Sequence, residues 1–182
     1  MNSQKTINQK IDFEGIGLHT GEQSRLEMLP AAANTGITFV RQDVESPTLI
    51  KANSYSVLNP EKFPRRTSIG MEGICIHTVE HLMAALHILG IDNLQINIWG
   101  QEVPGLDGSA KGFVDKIEEV GCRQETADKN MLIVREPLWV EEGAASLVVL
   151  PYPELRISYI LDYDSSLIDS GYIDVTLNGS PK

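Results

Sequence analysis

The middle of the chain has the apolar spacing of an amphipathic helix. Five apolar residues share one stripe at intervals of three and four positions: Val79, Leu82, Met83, Leu86 and Leu89. Such a stripe lines the buried face of an α-helix. The pattern therefore predicts a helix over residues 77–90. Its last residue is Gly90, because glycine readily adopts the left-handed conformation that ends helices.

Alternating and β-prone runs predict strands on both sides of this helix. The clearest run covers residues 94–99, where every second residue is Leu or Ile, as in a strand with one buried face. Three apolar residues of one parity predict a single first strand over residues 7–13. Two short strands joined by a tight turn are predicted at 25–29 and 37–40. The remaining strands of this region are predicted near residue 49 and, as a hairpin leading into the helix, at 67–69 and 74–76.

A second helix is predicted after residue 109. Ser109 is a suitable N-cap, and Gly121 is a suitable stop. The apolar stripe between them consists of Phe113, Val114, Ile117 and Val120. Several strands followed by helix, strand and helix predict an α+β fold, a two-layer sandwich with both helices on one face of a sheet.

The polar, charged segment 123–130 is the best candidate for a domain boundary. We therefore predict a first α+β domain over residues 1–124 and a second domain over 125–182. The second segment has β-prone runs at 131–134, 138–140, 145–150 and 155–161, but no helix to cover them. Strands without a covering layer cannot easily bury a core, so this domain is predicted to be an incomplete start of a second similar fold.

Composition narrows the classes of function. The chain has 182 residues, of which 42% are hydrophobic and 22% charged, a composition typical of a packed globular protein. No run approaches the roughly 18 apolar residues of a transmembrane helix, and the first residues lack a signal peptide. The two cysteines, Cys75 and Cys122, form no disulfide framework. A cytoplasmic location is therefore expected.

The net charge of −10 disfavours nucleic-acid binding, which depends on neutralising phosphates with Lys and Arg. The charge is unevenly distributed. Residues 1–100 contain eight Lys and Arg against ten Asp and Glu, whereas residues 101–182 contain seven against fifteen. A solvated acidic surface is the simplest interpretation of the second segment.

The candidate chemistry lies at the start of the predicted helix. His77 and His81 are four residues apart, so a helix would place them on one face as half of a metal site. Glu80 could act as the general base for a metal-held water. The alternative is that each helical histidine is a structural or surface residue, which is the simpler interpretation for His87. The spacing is not that of the His-Glu-x-x-His zinc proteases.

Two further residues remain open candidates. His19 lies in a segment with three glycines within residues 15–21, and it is either a site residue or a surface turn residue. Asp107 precedes the second helix, where helix capping is a simpler role than anion binding.

Five motifs follow one another along the chain, in the order found in a known family: residues 15–21 (GIGLHTG), 30–37 (PAAANTGI), 78–86 (TVEHLMAAL), 90–93 (GIDN) and 102–110 (EVPGLDGSA). With these motifs the chain resembles UDP-3-O-acyl-N-acetylglucosamine deacetylase, a zinc amidase of lipid A biosynthesis. The resemblance covers nearly all of residues 5–121. It implies two similar α+β domains whose helices are sandwiched between two sheets, with the active site at their junction.

The resemblance also implies residue roles. His81 corresponds to a zinc ligand and Glu80 to the general base for the attacking water. His19 and Asp107 correspond to positions near the substrate. His77 corresponds to no ligand. The implied reaction removes the acetyl group from the glucosamine nitrogen of a UDP-3-O-acyl-glucosamine-type substrate, with Zn²⁺ as the cofactor.

The chain also departs from the family. The other two family ligands come from a His-Lys-x-x-x-Asp pattern in the second domain, and no histidine follows His87 here. A catalytic zinc usually has three protein ligands. We therefore expect weak zinc binding and little turnover unless a missing segment or a complementary chain completes the site. Three alternatives remain: one half of a split enzyme, a non-catalytic homologue that acts as a binding or scaffold module, and an unrelated helix-based metal or interaction protein.

Overall fold

A computed structural model describes residues 3–71, 73–162, 167 and 169–177. The chain divides into two compact units, Met1–Lys129 and Asn130–Lys182. The helices of unit 1 are α1 (Glu80–Leu89), α2 (Lys111–Val120) and a short 3₁₀ helix (Ser54–Ser56). Its strands are β1 (Ser3–Ile7), β2 (Ile11–Ile16), β3 (Gln23–Pro30), β4 (Ile37–Arg41), β5 (Thr48–Lys51), β6 (Ser68–Met71), β7 (Ile74–His77), β8 (Leu94–Trp99) and β9 (Cys122–Asp128).

Unit 1 is built on a five-stranded sheet with the order β2-β3-β8-β4-β5. All neighbours are antiparallel except β4 and β8, which are parallel. The strands predicted at 25–29, 37–40, near 49 and at 94–99 are confirmed. The first two of them are not paired with each other, because β8 lies between β3 and β4. A separate hairpin, β6–β7, leads towards α1 as predicted.

Both helices pack on the inner face of this sheet, which confirms the α+β class. Leu82 and Leu86 of α1 and Phe113 of α2 are fully or almost fully buried in the same cluster as Leu26 and Ile96 of the central strands. The Phe13 and Phe113 rings also meet, with 5.0 Å between their centroids. Burying such side chains, at about 1.5–3 kcal/mol each, is the main stabilising contribution to a core.

The predicted strand over residues 7–13 is wrong, because this segment forms two strands in different sheets. β1 ends at Ile7 and pairs with β9, whereas β2 begins at Ile11 and pairs with β3. The pairing of Ile7 with Cys122 also makes the polar segment near residue 123 a strand rather than a linker. The units divide after Lys129, so the predicted boundary at 124/125 falls inside β9.

Helix α1 begins three residues later than predicted. His77 is the last residue of β7, where its backbone N–H donates to the Gln101 carbonyl at 2.8 Å. Thr78 then has a φ of +58°, so its backbone belongs neither to the strand nor to the helix. His77 and His81 therefore do not lie on one helical face. The end is as predicted, since Gly90 is left-handed with φ 68° and donates its N–H to the Leu86 and His87 carbonyls.

Helix α2 begins at Lys111 rather than directly after Ser109. The Ser109 hydroxyl nevertheless accepts a hydrogen bond from the Lys111 N–H at 3.0 Å, so it satisfies one of the unpaired donors of the first turn. Neither α-helix of the described residues has the length and apolar character needed to span a membrane.

Unit 2 consists of two antiparallel hairpins in its described residues. They are formed by β10 (Leu138–Glu142), β11 (Ala145–Val149), β12 (Leu155–Leu161) and β13 (Gly171–Leu177). The strands predicted at 138–140, 145–150 and 155–161 are confirmed, and β13 was not predicted. The strand predicted at 131–134 is wrong, because these residues are not in a β-strand.

Candidate functional site

Glu80 and His81 are the first two residues of α1. One oxygen of Glu80, Oε2, accepts a hydrogen bond from the Thr67 N–H at 3.0 Å. The Thr67 carbonyl in turn accepts from the Val79 N–H at 3.3 Å. Thr67 thus holds both the backbone and the carboxylate at the start of the helix, where the helix dipole favours a negative charge. Glu80 Oε1 has no hydrogen bond to any described residue.

The histidines differ in how much of each ring is available. His77 is only 4% exposed, and its Nδ1 lies 2.8 Å from Ser68 Oγ and its Nε2 3.3 Å from Cys75 Sγ. Burial, and then the charge of Arg66, lowers the pKa of His77. Both nitrogens of this ring are engaged within the protein, as in a structural residue.

His81 is partly exposed, and its ring makes no hydrogen bond within the described part of the chain. An imidazole needs a free nitrogen lone pair to bind a metal. His81 meets that requirement and His77 does not. His87 is exposed on the same helix, about two turns after Glu80.

A buried carboxylate lies beside the start of α1. Glu102 is 1% exposed. Its Oε1 accepts from the Thr78 hydroxyl at 2.6 Å and from the His19 N–H at 3.0 Å. Its Oε2 accepts from the Thr20 N–H at 2.8 Å and from the Thr20 hydroxyl at 2.7 Å. Both oxygens are therefore saturated by donors from two other segments.

Burial alone would raise the pKa of Glu102. The hydrogen bonds from Thr78, His19 and Thr20 outweigh it and lower the pKa to about 2, because donors that bond to a carboxylate favour its charged form. Among the described residues no Lys or Arg forms an ion pair with Glu102. The buried charge is thus stabilised by neutral donors alone.

The glycine segment packs against this carboxylate. A Cβ at Gly17 would overlap Glu102 Oε2 and the Thr20 hydroxyl, so a glycine is required for the close approach. Backbone contacts continue the packing, with a bridge between Gly17 and Pro104 and a 2.9 Å hydrogen bond from the Gly105 N–H to the Ile16 carbonyl. His19 is held near the start of α1 by its backbone, and its side chain is exposed.

Asp107 is exposed and makes local bonds. Its Oδ1 accepts from the Ser109 N–H and the Ser109 hydroxyl, both at 2.9 Å, and these bonds lower the pKa of Asp107. It also borders an open groove of about 300 Å³ whose lining includes Phe13, Leu106 and Lys116. The bonds are those of a residue that organises the entry to α2. A role for Asp107 near a substrate stays a prediction.

The structure brings three of the sequence motifs together. The segments that contain His19, Thr78 and Glu102 meet at one carboxylate, and Glu80 and His81 follow Thr78 directly. The described residues contain no group of three His, Cys, Asp or Glu side chains that could hold a metal ion. A zinc ion would have one imidazole ligand here, that of His81.

Thr78 and Glu102 were missed as site residues from the sequence. Both lie inside motifs that point to the family, but nothing local marks them. The only signal is a glutamate followed directly by Val103 and Pro104 in an apolar loop. A single sequence does not reveal that this carboxylate is buried.

Comparisons with known proteins match the motif-bearing region and beyond. Residues 4–180 match the family model of UDP-3-O-acyl N-acetylglycosamine deacetylase. Similar curated proteins include UDP-3-O-acyl-N-acetylglucosamine deacetylases of Thermosynechococcus vestitus (41% identity over 161 residues), Geotalea uraniireducens (38% over 166) and Myxococcus xanthus (36% over 173). The matches cover 88%, 91% and 95% of this chain and 55%, 53% and 54% of those proteins. The chain thus spans about half the length of these relatives.

Proposed function

The chain belongs to the UDP-3-O-acyl N-acetylglycosamine deacetylase family, and on this premise we propose that it carries the general base and one zinc ligand of such an enzyme. The reaction would remove the N-acetyl group from UDP-3-O-acyl-N-acetylglucosamine in lipid A biosynthesis. The observation that carries the proposal is the pair at the start of α1, in which Glu80 is anchored by Thr67 and the neighbouring His81 ring is unbonded.

Glu80 is proposed to take a proton from the attacking water. The Thr67 N–H fixes one carboxylate oxygen at 3.0 Å and leaves the other available, which is the arrangement that a positioned general base requires. His81 would hold the zinc through a ring nitrogen. The metal, when bound, would acidify the water and polarise the amide carbonyl.

With one metal ligand, the 182-residue chain alone is proposed to bind Zn²⁺ weakly and to turn over little substrate. A further segment in the same reading frame, or a complementary chain, would have to supply the other ligands. We propose the cytoplasm as its compartment, a view that the two free cysteines support.

The test begins with the coding sequence beyond Lys182. The full product of that reading frame and the 182-residue chain are assayed separately for acetate release from UDP-3-O-acyl-N-acetylglucosamine, and the chain is also assayed with any complementary chain. We expect activity in the complete system only. Turnover by the purified chain alone would contradict the proposal of inactivity, and no turnover in any arm would favour the non-catalytic homologue.

Three variants of the active system test the residue roles. Glu80→Gln should lower kcat by about 10²–10⁴-fold, the usual contribution of a general base. His81→Ala should abolish stoichiometric Zn²⁺ binding. His87→Gln is the matched control, since it changes an exposed histidine of the same helix, and it should alter neither quantity. Full activity in Glu80→Gln would overturn the proposed base.

A further inference from the structure

We infer that Glu102 is a positioning residue: its carboxylate ties the segment of His19 to Thr78 and so fixes the start of α1, where Glu80 and His81 lie. The inference deepens the proposed function and rests on it. Glu102 would not touch the substrate, because it is 1% exposed and both of its oxygens already accept hydrogen bonds within the protein.

On one side the carboxylate organises the glycine segment. The His19 and Thr20 N–H groups and the Thr20 hydroxyl all donate to it, at 2.7–3.2 Å. Gly17 packs directly against the Glu102 carboxylate on the same side. These four donor contacts add to the turn's internal hydrogen bonds, from the Gly17 N–H to the Glu22 carbonyl and from the Gly21 N–H to the Gly17 carbonyl, and they tie the His19 backbone to the carboxylate. Removing the charge would release the segment.

On the other side the carboxylate holds a strained residue. Thr78 has a φ of +58°, which is unusual for a β-branched residue. It is buried, and its hydroxyl donates to Glu102 Oε1 at 2.6 Å. Strained conformations persist where the surroundings over-determine them, and they concentrate at functional sites. Here the bond to Glu102 is the side-chain interaction that holds the strained conformation.

The backbone around Glu102 makes the link rigid. The Gln101 carbonyl accepts from the His77 N–H at 2.8 Å, and the Val103 N–H donates to the His77 carbonyl at 3.1 Å. The Glu102 carbonyl also accepts from the Ser24 hydroxyl at 2.5 Å. The residue is therefore fixed by the sheet on one side and by β7 on the other. Thr78 follows β7 directly, so a shift in its conformation would be transmitted to Glu80.

The activity test uses the complete active system and a matched pair of substitutions. Thr78→Val keeps the shape but removes the donor, and Thr78→Ser keeps the donor. We expect Thr78→Val to lower kcat by about 100-fold, the loss that a misplacement of roughly 1 Å can cause, with KM changed less than about threefold. Thr78→Ser should stay near the wild-type kcat. Glu102→Gln should resemble Thr78→Val.

Glu27→Gln is the control for loss of a hydrogen-bonded carboxylate away from the site. Glu27 accepts from Asn97 at 2.9 Å on the central strands, and its substitution should leave kcat unchanged. Wild-type kcat in Thr78→Val, or an equal loss in Thr78→Ser and in Glu27→Gln, would overturn the inference, because the effect would then not depend on the bond to Glu102.

Hydrogen–deuterium exchange of the 182-residue chain provides a measurement that does not depend on enzymatic activity. Glu102→Gln and Thr78→Val should each speed exchange in peptides covering both 17–21 and 77–82, whereas peptides from β3 and β8 should stay protected. Unchanged exchange in 17–21 or in 77–82 would overturn the coupling even if kcat fell. A wild-type system without deacetylase activity would instead overturn the proposed function, and the exchange result would distinguish the two failures.

Discussion

The two units contain similar apolar residues but bury them very differently. In unit 1 a cluster of apolar side chains lies between one sheet and two helices, and Phe113 in it is 0% exposed. In unit 2 none of the described residues is buried, and Trp139 is 70% exposed. The difference shows that an apolar pattern specifies a strand, whereas burial requires a second layer that covers it.

Hairpin β12–β13 illustrates the point. Leu155, Ile157 and Tyr159 alternate along one face and pair with Leu177, Val175 and Ile173. The opposite face carries the polar pair Ser158 and Asp174 and also the pair Ile160 and Tyr172. A face of this kind normally packs against a core, yet the face of Leu155, Ile157 and Tyr159 is exposed in the described part of unit 2. An isolated two-stranded hairpin is marginally stable in water.

The largest expected effect tests this difference in burial. Phe113→Ala should lower the free energy of unfolding by about 3–5 kcal/mol, the usual cost of truncating a buried aromatic residue. Trp139→Ala, the matched truncation in unit 2, should change it by less than about 0.5 kcal/mol, as for exposed sites. Urea unfolding followed by circular dichroism measures both. A comparable loss in Trp139→Ala that grows with protein concentration would mean that a second copy covers unit 2.

Local patterns predicted much of unit 1, for identifiable reasons. Strand β8 and the end of α1 were predictable because alternation and Gly90 are local signals. Strand β9 was not, because its polar residues become a strand by pairing with β1, more than a hundred residues earlier in the chain. The start of α1 was misplaced for a related reason, since backbone bonds from the segment at Gln101 keep His77 extended.

The candidate site was predicted only in part. The motifs made Glu80 and His81 candidates, and the structure adds the hydrogen bond from the Thr67 N–H that anchors Glu80. The partnership of Thr78 with Glu102 depends on a left-handed threonine and on burial between distant segments. Neither property is encoded in the composition of the segment itself. Sequence patterns therefore reveal the residues proposed to do the chemistry more readily than those proposed to position them.

A second prediction concerns pH and the buried charge of unit 1. The pKa of Glu102 is about 2 in the folded chain against an ordinary 4.5, so its stabilising contribution is present above about pH 4.5 and is lost as the pH falls towards 2. The contribution is at most about 3 kcal/mol. The difference in unfolding free energy between wild type and Glu102→Gln should therefore shrink between pH 5 and pH 2.5. A difference that stays constant would contradict this.

The smallest expected effect is a change of carboxylate pKa with salt, compared between one residue of each unit. Asp174 in unit 2 also has a pKa of about 2, owing first to Arg156 and then to Ser158 and Tyr172, but its ion pair with Arg156 is solvent-exposed. Raising the salt from about 0.1 to 1 M shortens the Debye length from about 10 to 3 Å. The pKa of Asp174 should rise by roughly half a pH unit, and that of Glu102 should change less because its donors are neutral and buried.

Carboxyl ¹³C titrations at both salt concentrations measure the two pKa values directly. Arg156→Gln is the control: it should raise the pKa of Asp174 at low salt and remove most of its salt dependence, while Glu102 keeps its value. If the pKa of Glu102 responded to salt as strongly as that of Asp174, water and ions would have to reach the carboxylate. The contrast in solvent exposure between unit 1 and unit 2 would then not hold for Glu102, the residue on which the inferred positioning depends.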